Sequence, residues 1–525
     1  MRQDVDFNTL YDVWTASRTD DATVMYFNDR EIRLGEVRKM SDQYMIHLQH
    51  HGVKPGTGVG LSLPNCPEVF ALFFAVWRIG AYAVPLFPMI PDPMKTGIFS
   101  SSRVALVVTK MAGRETLAAE ALRRHAGFAV IALDAEEDGG FSAPVAGNES
   151  LAAVSTAPGM PALVAASSGT TGIPKIVMMD RRNISSALQC SFAMVPEYLP
   201  ENGHTWRSTI AFPLSTSGML VCAGLLFKGV DLIFSDNLSP VTYLELTGKW
   251  RAQLLSAPPS YFENICGIPA VDPRVSESVQ GIMTGMDFLS SSLLKRLHLR
   301  FPHLRYCSIG YGLVETSTVF MVRKPDVDGS DNSAGFRLSE GVSNEISVRD
   351  GNGTLVVEGT EGELWVRGPS VVREYLGNQE ATAQAFTDEW FRTGDVARKT
   401  GNESMVLLGR NKYLIKRGGK SVSPLEVQQH VNAVSGVKES AVVGVPHRLY
   451  GQMIWAYVVP EGEEEGLEKE IMKTCRESLP NYMLPDAVRF LPQLPRHQGA
   501  GKLNVDYLLN GAREELAALQ EEDNG

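Results

Sequence analysis

Ala166-Ser167-Ser168-Gly169-Thr170-Thr171-Gly172-Ile173-Pro174-Lys175 is the most informative stretch of the chain. A short apolar strand, Leu163 to Ala166, enters it, and a second, Ile176-Val177-Met178-Met179, leaves it. Between them are crowded hydroxyls, glycines and one lysine. Glycines let backbone N–H groups approach an anion closely, hydroxyls add donors, and the lysine adds charge, which is suitable chemistry for a polyphosphate. The run is not the familiar loop that places Lys-Ser or Lys-Thr directly after its last glycine and opens a helix. Here Ile173-Pro174 separates Gly172 from Lys175, and a strand follows. Composition alone leaves a surface hairpin as the competing reading.

Outward from this loop, helix and strand signals alternate. Val37, Met40, Tyr44 and Leu48 recur at helical spacing, and Gly52 can end that helix. Val59 to Leu63 reads as a strand after the Pro55-Gly56 turn, as do Val104 to Val108 and Ala129 to Leu133. The apolar stretch from Phe70 to Pro88 is interrupted by Arg78 and Gly80, so it reads as a buried helix and a strand, not a membrane span. Strands alternating with helices predict doubly wound parallel sheets. Near Gly409-Arg410-Asn411-Lys412 the pattern restarts. Ser423-Pro424-Leu425-Glu426 has Ser at the cap, Pro at the first helical position and Glu three residues after the Ser, the start of a new unit. The acidic tail from Glu514 to Gly525 is expected to fray.

Bulk properties exclude several classes. At 525 residues the chain is too long for one core, so several domains are expected. A net charge of −11 argues against nucleic acid as a partner of the whole surface. The cysteines Cys66, Cys190, Cys222, Cys266, Cys307 and Cys475 are scattered without zinc-like spacing, which suits a reducing cytoplasm and inert thiols. The opening Met1-Arg2-Gln3-Asp4 carries no basic-then-apolar leader. No internal repeat is visible.

The run from Ser168 to Lys175 matches the Ser-Gly-Thr-Thr-Gly-x-Pro-Lys signature at every position, and through it the chain resembles the acyl-adenylating superfamily of acyl- and aryl-CoA ligases, free-standing adenylation domains and firefly-type luciferases. The resemblance implies an α/β fold: a large N-terminal domain of doubly wound sheets plus a distorted barrel (residues 1–409), and a small mobile α+β C-terminal domain (residues 410–525). It implies ATP, Mg²⁺ and coenzyme A as cofactors and co-substrates, and a small carboxylic acid as substrate. Ser167, Ser168, Gly169, Thr170, Thr171, Gly172 and Lys175 would cradle the phosphates, with Thr170 also in the catalytic set. Ile176 replaces the family's usual glycine after the lysine.

Further motifs follow in the family's order. Gly310-Tyr311-Gly312-Leu313-Val314-Glu315 resembles the second signature, in which the tyrosine packs on adenine and the glutamate helps bind Mg²⁺; Val314 stands where a threonine is usual. Gly285 and Gly312 fall among the nucleotide-binding positions. Glu363-Leu364-Trp365-Val366-Arg367-Gly368-Pro369 matches a segment assigned to structure. In Trp390-Phe391-Arg392-Thr393-Gly394-Asp395 the resemblance gives Asp395 the ribose hydroxyls, which one carboxylate can accept bidentately. Arg410 would contact ribose or phosphate, Lys412 would be the hinge between domains, and Gly418-Gly419 would line the thiol tunnel after domain rotation. Leu494-Pro495-Arg496-His497-Gln498-Gly499-Ala500-Gly501-Lys502 resembles the catalytic-lysine loop, one residue longer than its common form, with Lys502 the candidate.

The acyl pocket is expected between Phe212-Pro213-Leu214-Ser215-Thr216-Ser217-Gly218 and Thr284-Gly285-Met286-Asp287-Phe288, with Ser215, Thr216, Ser217, Met286 and Asp287 as its residues. The first segment lacks the aspartate that holds the ammonium of amino-acid substrates, which argues against an α-amino acid. Fatty, aryl and other acids stay open. Too few residues follow Lys502 for a carrier region, so a carrier protein would act in trans. The competing functions are carrier loading, a luciferase-like oxidase and a non-catalytic nucleotide-binding relative.

Overall fold

The computed structural model describes residues 7–133, 154, 156–167, 175–198, 205–269, 272–327, 335–340, 343–401, 403–496 and 503–524. Three sheets organise them. The first has six strands in the order Ala129–Ala132, Val104–Thr109, Gly58–Ser62, Tyr82–Pro85, Pro161–Ser167 and Lys175–Asp180. Its neighbours pair in parallel except the last two, which are antiparallel. Ser167 pairs with Lys175, so the strands on either side of the glycine-rich run are antiparallel neighbours at the sheet edge.

Helix Pro67–Ile79 crosses from Gly58–Ser62 to Tyr82–Pro85 and is buried almost all round, which the apolar stretch predicts. Phe70, Phe73, Phe74 and Trp77 are at most 1% exposed; each such side chain contributes about 1.5–3 kcal/mol on burial. Arg78 interrupts the run without disturbing the core because it turns outward to Asp42 at 2.7 Å. Gly80 ends the helix at φ +84, a left-handed conformation that favours glycine.

The second sheet has fourteen strands. From Thr23–Phe27 through Asp231–Phe234, Arg207–Ile210, Leu254–Ser256 and Gly281–Gly285 to Tyr306–Leu313 the pairing is parallel. Beyond Tyr306–Leu313 it is antiparallel, through Thr318–Arg323, Phe336–Leu338, Ser404–Arg410, Trp390–Lys399, Glu361–Arg367 and Glu345–Arg349. Tyr306–Leu313 is thus a strand at which the ladder changes sense, as is Thr23–Phe27, whose outer neighbour Arg30–Arg33 is antiparallel. In α/β sheets ligands bind beyond the carboxyl ends of strands where strand order reverses, here Arg207–Ile210, which Asp231–Phe234 and Leu254–Ser256 flank.

The third sheet joins Lys420–Val422, Ile415–Arg417, Gly451–Pro460, Val437–His447 and Ala487–Phe490. It packs against helices Pro424–Asn432, Leu467–Ser478 and Val505–Asn524, with its own core around Ile415, Val427, Val431, Ile454 and Ile471. The Ser423 hydroxyl caps its helix by accepting from Glu426 N at 3.1 Å, as the sequence predicts, and donates to Leu408 O at 2.6 Å. The Glu426 carboxylate instead approaches Arg398 at 3.8 Å. A further correction concerns the tail: the last helix continues to Asn524, because Ala, Leu and Glu are good helix formers. A division at residues 409 and 410 is our proposal for where the small domain begins.

The free cysteines are buried apart from the intermediate Cys266, and burial pushes the Cys190 thiol up to about 12. Among the described residues no helix is long and apolar enough to cross a membrane.

Candidate active site

The site begins with missing side chains. At the carboxyl ends of two parallel strands, Gly285 pairs with Gly310. A Cβ on Gly285 would lie 2.8 Å from Gly310 O, and one on Gly310 would lie 2.6 Å from Val319 Cγ2. One on Gly312 would meet Thr318 O at 1.8 Å, beside the register shift between Tyr311 and Gly312. These backbones approach closely only because each position is glycine. Met286, next in line, takes φ 69, an uncommon conformation for a side chain of its size, and is 42% exposed.

Alternation along Tyr306–Leu313 sends Tyr311 the opposite way from its glycine neighbours. Its ring packs against Phe320 and Phe336, with centroids 5.4 and 5.7 Å away. Its hydroxyl donates to Asp395 Oδ2 at 2.5 Å. Burial, and then the Asp395 carboxylate, hold the Tyr311 phenol well above the usual tyrosine range, so it keeps its proton and donates. The Tyr311 side chain is partly buried against this aromatic cluster, and its hydroxyl fixes an acid. Arg410 Nε approaches Asp395 Oδ1 at 2.8 Å, and Asp395 N donates to Thr393 Oγ1 at 3.0 Å.

A second cluster surrounds Glu315, in the turn Val314–Thr316 that follows the same strand. Tyr375 donates to Glu315 Oε1 at 2.7 Å, and the Lys175 ammonium sits 4.6 Å from the centre of the Tyr375 ring. Burial and the neighbouring carboxylate keep Tyr375 protonated. The edge strand of the first sheet is tied in as well, since Leu376 N donates to Ile176 O at 2.7 Å. Tyr375 was not singled out by the sequence, which carries no local signal for it.

A cavity of about 510 Å³ lies between these clusters. Lys175, Gly285, Met286, Gly312, Glu315, Ser217 and Arg410 line it together, so candidates from distant motifs converge. Glu363, read from sequence as structural, lines it too, paired with Arg392 at 2.9 Å. Of the expected acyl-pocket residues, Ser217 and Met286 line this cavity and Ser215, Thr216 and Asp287 do not. Ser215 precedes the helix Thr216–Phe227 and faces Leu61 and Leu63, while the helical turn carries Ser217, Gly218 and Val221 to the cavity. Asp287 accepts from Phe288 N at 2.8 Å and faces Arg496 of the C-terminal unit at 3.8 Å.

Ser168, Gly169, Thr170, Thr171 and Gly172, the Ser167 side chain and Lys502 lie outside the described residues. The residues flanking Lys502 are described: Arg496 and Leu503 form an antiparallel bridge, and Asn504 N donates to Pro495 O at 2.8 Å. Lys412 lies 3.7 Å from Asp506 and 4.2 Å from the centre of the Tyr413 ring. Gly418 and Gly419 form a tight hairpin turn, with φ 56 and 78, and do not line the cavity.

Sequence comparisons match two family models in chain order. That of the AMP-binding enzymes covers residues 13–376 and that of the AMP-binding enzyme C-terminal domain covers residues 426–502. The chain is 27% identical over 491 residues to a feruloyl-CoA synthase of Amycolatopsis, covering 93% of this chain and 95% of that one. It is 29% identical over 467 residues to an oxalate–CoA ligase of Arabidopsis thaliana, covering 86% and 88%. Its fold matches the anthranilate CoA ligase AuaEII, solved with anthranoyl-AMP, at a TM-score of 0.82 and 20% identity over 98% of each chain.

Proposed function

This chain belongs to the AMP-binding enzyme family, and from that premise we propose that it activates a carboxylic acid with ATP as the acyl-adenylate and transfers the acyl group to the thiol of coenzyme A. In the first half-reaction a carboxylate oxygen attacks the α-phosphorus and the bond to pyrophosphate breaks. In the second the thiol sulfur attacks the acyl carbon, AMP leaves with the bonding electrons, and the thiol proton passes to solvent.

The observation that carries this reading is the convergence on one cavity of Lys175, Glu315 and Arg410 from three separate motifs, with Asp395 held behind Arg410. In the first step two anions must meet, so cationic groups lower the barrier by electrostatics and positioning. We assign Lys175 to the phosphates, Asp395 and Arg410 to the ribose, and Lys502 to the reacting carboxylate and α-phosphate. Glu315 is the carboxylate for magnesium: one such ligand beside a polyphosphate suits an ion held mainly by substrate oxygens, where it would screen phosphate charge. Lys412 is assigned as the hinge and Gly418-Gly419 as the thiol-side loop, brought in by rotation of the small domain. A carrier protein in place of coenzyme A is the second acceptor to test.

The test is acid-dependent exchange of labelled pyrophosphate into ATP, followed by thioester formation on adding coenzyme A. Exchange without thioester would move the acceptor to a carrier protein. ATP binding with neither activity across a broad acid panel would refute the assignment in favour of a non-catalytic relative.

A further inference from the structure

We infer that the acid is a compact monocarboxylate with an uncharged, apolar tail, an inference that rests on the adenylation reading above. The charged side chains lining the cavity are Lys175, Glu315, Glu363, Arg392 and Arg410. Each already has a partner within the protein. Lys175 and Glu315 share Tyr375, Glu363 pairs with Arg392, and Arg410 pairs with Asp395.

An apolar wall is built from Met194, Phe212, Val221, Met283 and Val319, which pack in one hydrophobic cluster. Among the described residues that wall carries no ionisable side chain. Of its hydroxyls, Ser256 is satisfied by Ser208 at 2.7 Å. The helix Thr216–Phe227 begins there, but a helix end supplies only a partial positive charge, and its Met219 N–H already bonds Ser215 O at 2.7 Å.

A second carboxylate or an ammonium on the substrate tail would therefore be buried without a counter-ion, which is strongly unfavourable. Size gives the other bound. Clefts that hold one drug-sized ligand measure roughly 300–1,000 Å³, and this cavity must take the acid as well as part of the nucleotide. A cavity of about 510 Å³ shared with it leaves room for a ring or a short chain, and not for a long alkyl tail.

The experiment uses the full chain with ATP and Mg²⁺ and compares pyrophosphate exchange with benzoate, cinnamate, hexanoate, palmitate, malonate, succinate and phenylalanine. The expected kcat/KM for the best of the first three exceeds that for malonate, succinate and phenylalanine by about a hundredfold or more, the scale of leaving a buried charge unpaired, and palmitate is also poor. A dicarboxylate, the amino acid or palmitate as best substrate would overturn the inference while leaving adenylation intact. Exchange with none of the acids would overturn the adenylation reading itself. As a second arm, Val221→Lys supplies the missing counter-ion and should raise the succinate-to-benzoate ratio by at least about tenfold. An unchanged ratio in a variant that still exchanges with benzoate would contradict the placement of this wall against the acyl tail.

Discussion

Arg496 bridges the two parts of the molecule: it pairs with Glu439 beside it in the C-terminal unit and comes within 3.8 Å of Asp287, which follows the cavity residues Gly285 and Met286. Arg496 also bridges to Leu503 at the base of the segment that carries Lys502. The contact ties Arg496, on the flank of that segment, to the strand end that carries Gly285 and Met286. Asp287→Ala is expected to slow adenylation about two- to fivefold, the scale of a half-exposed ion pair. Thioester formation from a synthetic acyl-adenylate should not slow, because on the proposed rotation the small domain has by then left Asp287. Single-turnover measurement of the two half-reactions checks this; equal losses in both would mean general damage.

Tyr311 and Asp395 define the second expectation. Tyr311→Phe removes the hydroxyl that fixes the carboxylate, and Asp395→Asn weakens its acceptance of ribose hydroxyls. Hydrogen bonds to charged groups contribute about 1.5–3 kcal/mol. Asp395→Asn should therefore weaken ATP binding by about 10- to 100-fold, with a smaller loss for Tyr311→Phe. Calorimetric titration with ATP decides it, and unchanged affinity in Asp395→Asn would remove the ribose assignment.

Glycine packing makes a third. Gly285→Ala drives a methyl group to 2.8 Å from a backbone oxygen that cannot swing away, and should cost about 1–3 kcal/mol. Gly97→Ala meets nothing within 4 Å inside helix Asp92–Ser101, and should add about 0.5–1 kcal/mol. Denaturant unfolding of the two variants should give opposite signs.

Arg18 and Asp231 form a buried pair at 2.6 Å. Burial raises the Asp231 pKa, opposed by Arg18. Arg18→Ala removes that opposition and pushes the folded-state value further above the unfolded one. A carboxylate raised on folding favours the folded state in acid and loses that stability as pH rises through its folded-state pKa. The variant should accordingly be destabilised by about 3 kcal/mol at neutral pH and by less in acid, as the pH falls through the raised folded-state pKa and the carboxyl takes up a proton. Melting curves across that range test it, and a loss that grew as pH fell would contradict the sign.

What the sequence made legible was local. Apolar runs with turn signals located the hairpin strands around the glycine-rich loop, and the Ser423-Pro424 start was readable because cap chemistry depends on adjacent residues. Pairs joined only by folding were not legible. Tyr311 and Asp395 are 84 residues apart and Glu315 and Tyr375 are 60 apart, and nothing near Tyr375 marks it as a partner for both Glu315 and Lys175. Ser215 and Thr216 sit off the cavity wall by a fraction of a helical turn. Asp287 faces Arg496 of the C-terminal unit, a partner that no local pattern marks.

The most direct measurement of the central claim is the pair of half-reactions in Lys502→Ala. Acid-dependent pyrophosphate exchange should fall by about 10² or more, the size of one catalytic electrostatic contact. Thioester formation from synthetic acyl-adenylate should stay near the unmodified rate. Exchange close to the unmodified rate would contradict the account.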